Sequence, residues 1–192
     1  MTDNLGILRK AGFFKDYEAL SDVELMDTLR KKRKEEYSKM FGYDYEPQDF
    51  SHLTTLLSQD DRKFLDIDLE ADVLNGNNVY VSVLEDFAKA SNGHFSPTNI
   101  EEVWDSDEGP IKVSFSSNGQ QIIFEPEYLD DWIDGRIFEV INEEMKKVCN
   151  ESFIVCLVPN DEWFGQNIIH VRLTEDEKQL LKEKLNWNFP EQ

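Results

Sequence analysis

Four carboxylates recur at alternate positions in this chain, Asp66, Asp68, Glu70 and Asp72, between Leu65, Ile67, Leu69, Ala71 and Val73. A period of two predicts a half-buried strand from Phe64 to Val73, with the acids along one face about 7 Å apart in successive steps. Such a row could hold a cation or meet a basic partner. A calcium loop of the EF-hand type also places oxygens at alternate positions, but it needs Gly at its sixth position and Glu at its twelfth. Counted from Asp66, Ala71 and Asn77 stand there, so that motif is absent. A solvated strand face, charged against edge pairing, accounts for the same pattern without a ligand.

A second cluster packs Glu101, Glu102, Asp105, Asp107 and Glu108 around Trp104, and a third sets Asp130, Asp131 and Asp134 around Trp132 and Ile133. A Trp ringed by acids can anchor a cationic surface. The plain alternatives are a core Trp104 with a loop rim, and acids suited to a helix N-terminus at Asp130–Asp134.

Signatures of catalysis are missing. Glu125 and Glu127 could form a carboxylate pair, but among 40 acids such a pair arises by chance. His52, His94 and His170 are scattered. No nucleophile elbow, no G-x-G-x-x-G and no P-loop occur. Cys149 and Cys156 make neither a CxxC pair nor a Cys/His cluster in series, so no zinc, other metal or cofactor is expected. Both thiols are expected to be buried in a reducing compartment.

Ser21 and Glu24 form a capping box that opens a helix running to about Phe41 and stopping at Gly42. Its middle, Arg30 to Lys34, is basic all round and is expected to be solvated or paired within the chain. Tyr43 to Phe50 reads as a loop and Ser51 to Leu57 as a short helix. A helix spans Asn78 to Ser91, and Ser96-Pro97 starts a helical turn through Trp104. Ile111–Phe115 and Gln120–Phe124 form a hairpin around Ser117-Asn118-Gly119. A helix follows from about Leu129 to Val148, then strands at Phe153–Val158 and Ile168–Leu173, joined by a loop from Pro159 to Gln166. Thr174 and Glu177 form a second capping box, opening a last helix to about Leu185.

Strands joined by short turns favour an α+β fold over a doubly wound sheet: a mostly antiparallel sheet with flanking helices. The 192 residues suffice for a single domain, with residues 1–58 as a helical extension. With 40% hydrophobic and 12% aromatic residues the chain can bury a core. It lacks a signal-peptide pattern and any apolar run long enough to cross a bilayer, so it reads as cytoplasmic.

The net charge of −20 is unevenly spread: +1 over residues 1–43, −13 over 44–109 and −8 over 110–192, of which 125–144 carry −7. This balance disfavours nucleic acid and anionic membranes and favours basic proteins. The expected function is a non-enzymatic protein-binding module whose acidic face docks a basic partner. Asp66, Asp68, Glu70, Asp72, Glu101, Glu102, Trp104, Asp105 and Trp132 are its contact residues. Toxin-neutralising immunity proteins and nucleic-acid-mimicking inhibitors are classes with this profile. The alternatives are a carboxylate- or metal-dependent hydrolase lacking a known motif and a structural assembly subunit; the sequence leaves the oligomeric state open.

Overall fold

Both capping boxes form as their residues dictate. Ser21 and Thr174 each accept the backbone N–H three residues on, and Glu24 and Glu177 reach back to the capping residue's own N–H. They open α2 (Asp22–Phe41) and α6 (Glu175–Leu185) in a computed structural model that describes residues 2–42, 53–157 and 166–190. The other helices are α1 (Thr2–Lys10), α3 (Leu53–Leu57), α4 (Val79–Ala90) and α5 (Arg136–Lys146). The strands are β1 (Phe64–Asp68), β2 (Thr98–Trp104), β3 (Ile111–Ser117), β4 (Gln120–Phe124), β5 (Ser152–Val155) and β6 (Asn167–Leu173). They make two antiparallel three-stranded sheets, ordered β1-β6-β5 and β2-β3-β4. The fold is therefore α+β, with two sheets where the sequence reading expected one. The loops expected at Tyr43–Phe50 and Pro159–Gln166 lie outside the described residues, apart from Gln166.

The β1-β6-β5 sheet is covered on both faces. Val171, Leu173, Phe64 and Ile154 join α1, α2 and α6 in one apolar cluster, with Leu5, Leu8, Leu25, Leu29 and Leu181. Ile67 and Phe153 join α4, α5 and the β2-β3-β4 sheet in the other, around Phe87, Ile137, Ile141, Val113 and Phe115. The alternation of β6 thus points inward on both sides, which is why His170 and Arg172 are buried with Val171 and Leu173.

Burying polar side chains demands partners. Arg172 has them: its guanidinium donates to the Ala90 and Arg62 carbonyls at 3.0–3.2 Å and pairs with the Glu151 carboxylate. Lys63, beside β1, pairs with Glu177 at 2.9 Å on the opposite face and sits over the Phe13 ring. His170 has none: neither ring nitrogen finds a hydrogen-bond partner among the described residues, and the ring lies against Phe87 and Phe138.

The helix α1, within the segment expected to be a helical extension, ends in a Schellman turn, with Gly12 N–H bonded to the Arg9 carbonyl and Phe13 N–H to that of Leu8. Gly12 has φ 78° there, and a Cβ on it would collide with Glu177 Oε1 and Lys63 Nζ. The turn placed at Ser96–Trp104 is the strand β2, because Ile100, Glu102 and Trp104 point inward at a period of two. The helix placed at Leu129 begins only at Arg136. Asp130 is left-handed, Trp132 pairs with Glu70, and Asp134 Oδ1 accepts the Arg136 amide just past the Gly135 N-cap.

Two consequences are measurable. Burial holds the His170 imidazole at a pKa of about 4, below its ordinary 6.5. Between those values the unfolded chain binds the proton and the folded chain does not, so stability falls as pH drops from about 6.5 to about 4, by about 3 kcal/mol in total. His170→Leu removes that part of the slope in urea melts across this range; an unchanged slope refutes the assignment. Gly12→Ala is expected to cost about 2 kcal/mol in the same melts, from the strained φ and the displaced Lys63–Glu177 pair.

Candidate functional site

The acidic row begins as expected and then breaks. Asp66 and Asp68 are exposed on β1, where Asp66 Oδ1 accepts from Asn167 Nδ2 at 2.9 Å. Beyond Asp68 the partner strand β6 ends, so the chain changes partner. Leu69 still bonds to Gln166, after which Glu70 bridges Trp132, Ala71 N–H bonds to Asp131, and Ile133 N–H bonds to Leu69. Asp72 is left-handed at φ 50°. The ten-residue strand expected from Phe64 to Val73 is therefore a five-residue strand plus a short pairing with 131–133, and the four acids do not share one strand face.

A groove replaces that face. Asp66, Asp68, Asp72 and Asp86 surround a floor of Ile67, Ala71, Val79, Val83 and Ile133, enclosing about 390 Å³ between β1 and α4. Glu70 is not among its walls, and Asp86, overlooked by the sequence reading, is. Its signal was faint: Asp86 lies in α4 between the buried Leu84 and Phe87 and reaches the groove only because α4 packs on β1. Burial raises the Asp86 carboxyl above the usual aspartate range; Lys89 pulls it back and Glu85 pushes it further. An approaching cation would relieve that penalty.

The second cluster divides. Glu102 points inward: Oε2 accepts the Tyr80 amide at 2.9 Å in the first turn of α4, and Oε1 accepts from Trp104 Nε1 at 2.8 Å. Trp104 is half-buried and meets Tyr128 edge-on at 5.9 Å. Glu102 and Trp104 thus brace α4 against β2, while Glu101 and Asp105 remain exposed. Trp132 is 42% exposed, beside the equally open Leu129 and paired with Glu70.

The acidic stretches converge. Asn75 Nδ2 bonds to Asp107 Oδ1 at 3.4 Å, joining the loop after Asp72 to the β2–β3 turn. The Tyr128 hydroxyl is raised above its ordinary pKa by burial and then by the fields of Asp130, Glu108, Asp131 and Asp107. Residues from 66–72, 105–108 and 130–131 are therefore neighbours around the loop between β1 and α4. Asp134 is apart: burial pushes its carboxyl up, but bonds from Arg136 and from the Glu127 and Arg136 amides hold it below the usual range.

The basic run on α2 is partly paired within the chain: Arg30 with Asp27, and Lys32 with Glu36 and the Gln59 carbonyl. Cys156 is buried, but Cys149 is half-buried. The spacing along the chain offers no Cys/His cluster, but the fold brings His94, Cys149 and Glu151 together, with ligand atoms within 4.8 Å of one another. No helix among the described residues is long and apolar enough to cross a membrane. No protein family, curated protein or solved structure matches the chain, so geometry and electrostatics carry the functional argument.

Proposed function

We propose that this protein is a non-enzymatic binding module whose acidic face docks a basic partner protein. The observation that supports it is the groove: four carboxylates around an apolar floor match a lysine or arginine side chain, whose stem packs on carbon while its cation meets oxygen. Asp107, Glu108, Asp130 and Asp131 extend the negative field beside it, and Leu129 and Trp132 offer apolar contact next to Glu70. Charge steers the encounter, and the buried cation and the Trp supply the grip. A cationic toxin domain neutralised in the cytoplasm and a nucleic-acid-binding enzyme whose phosphate-reading surface is basic are the two partner types that suit such a face.

The test separates local from total charge. Asp66→Lys, Asp68→Lys and Asp86→Lys are combined in one variant; Glu139→Lys, Glu143→Lys and Asp176→Lys, at exposed positions on α5 and α6, are combined in another of equal net charge. Calorimetric titration with an arginine-rich peptide at low ionic strength is expected to show about tenfold or greater weakening for the groove variant and little change for the control. Equal weakening in both would make the charge a diffuse coat and overturn the proposed site.

A further inference from the structure

His94, Cys149 and Glu151 meet at the far end of α4 from the acidic groove, where two helices finish. His94 sits in the turn after α4, its N–H bonded to the Ser91 carbonyl, and Cys149 follows α5, its N–H bonded to the Met145 carbonyl. Glu151 stands immediately before β5. Both helices thus direct their negative dipole ends toward this corner, which favours a cation.

The three side chains are the imidazole, thiol and carboxylate of first-row metal sites, and their ligand atoms lie within 4.8 Å of one another. Tetrahedral zinc needs ligand atoms about 3.4–3.7 Å apart, so closure takes small side-chain rotations. His94 Nε2 is already 3.4 Å from Glu151 Oε2. The carboxylate is fixed in place by Arg172, which pairs with this same Oε2 while its other nitrogens are held on the Ala90 and Arg62 carbonyls. A ligand oriented by an anchored neighbour is how metal sites are commonly built. Cys149 Sγ lies 3.5 Å from the Met145 carbonyl and 3.6 Å from that of Glu151, both acceptors for a thiol proton. His94 and Cys149 are half-buried and Glu151 is buried, so an ion would be reachable from solvent yet shielded on one side.

We infer that His94, Cys149 and Glu151 form a three-ligand site for a divalent cation of the zinc class, with a fourth position open to water. Binding displaces the thiol proton to solvent; the ion then carries one imidazole, one thiolate and one carboxylate, with Arg172 as the support of Glu151. The site is independent of the acidic groove, and neither proposal requires the other.

Cobalt(II) titration of the reduced, metal-free protein tests it, because a chain with this many carboxylates binds divalent ions loosely and only sulfur ligation gives a near-ultraviolet thiolate-to-cobalt charge-transfer band. The expected result is a band that saturates at one ion per chain and is displaced by zinc. Cys149→Ser abolishes the band, His94→Gln weakens zinc binding at least about tenfold, and Glu139→Gln, at an exposed position on α5, changes neither. Absence of the band in the unaltered protein overturns the proposal whatever the variants do. So does a saturating band that survives Cys149→Ser.

Discussion

The Arg172 guanidinium ties together three segments that arrive from different directions: the end of α4 through the Ala90 carbonyl, the approach to β1 through that of Arg62, and the start of β5 through the Glu151 carboxylate. It can do so because β6 is the middle strand of a sheet with helices on both faces. A charge at that depth is tolerated only with a close counter-charge and further hydrogen bonds, and each of the three Arg172 nitrogens has a partner. The Lys63–Glu177 pair does the corresponding work on the other face, joining β1 to the first turn of α6 beneath the tight turn at Gly12. Two buried cations thus set how helices dock on each side, and everything outside them is arranged around that frame.

What the frame leaves outside is mostly acid. The charge that the fold needs is absorbed internally by Arg172–Glu151, Lys63–Glu177 and Arg136–Asp134. The groove acids Asp66, Asp68, Asp72 and Asp86 have a different character. They stand around apolar carbon, and burial, with Glu85 beside it, already raises the Asp86 carboxyl above its usual range. Like charges gathered in this way cost stability. Under the proposed function a cationic ligand offsets that cost, and the packing of α4 on β1 is what assembles the groove.

Much of the architecture could be read from the chain because local signals coincide with the final structure. Ser21 and Thr174 cap helices, and Ser117-Asn118-Gly119 turns a hairpin, through contacts within a few residues. The failures share a cause: a distant partner decided the conformation. The acidic row stopped being a strand where β6 ran out, and Trp132 left the helix it was assigned to because Glu70 pairs with it. Glu102 looked like a surface acid, yet it receives the Tyr80 amide from 22 positions away. Asp86 in the groove, and Cys149 beside His94, are brought to their neighbours by α4 and α5 docking; no spacing along the chain encodes either meeting.

If the groove carboxylates are kept against the interest of the fold, neutralising them must stabilise it, and equilibrium urea unfolding of the Asp66→Asn, Asp72→Asn, Asp86→Asn combination at low and high salt reads that gain. Asn keeps the shape and the hydrogen-bond acceptor at each position, and it tolerates the left-handed backbone at 72. The account predicts a variant more stable than the parent at low salt by about 1 kcal/mol, with the gain shrinking as salt screens the repulsion. A variant less stable than the parent at low salt would show that these carboxylates hold the fold together, and would contradict the account.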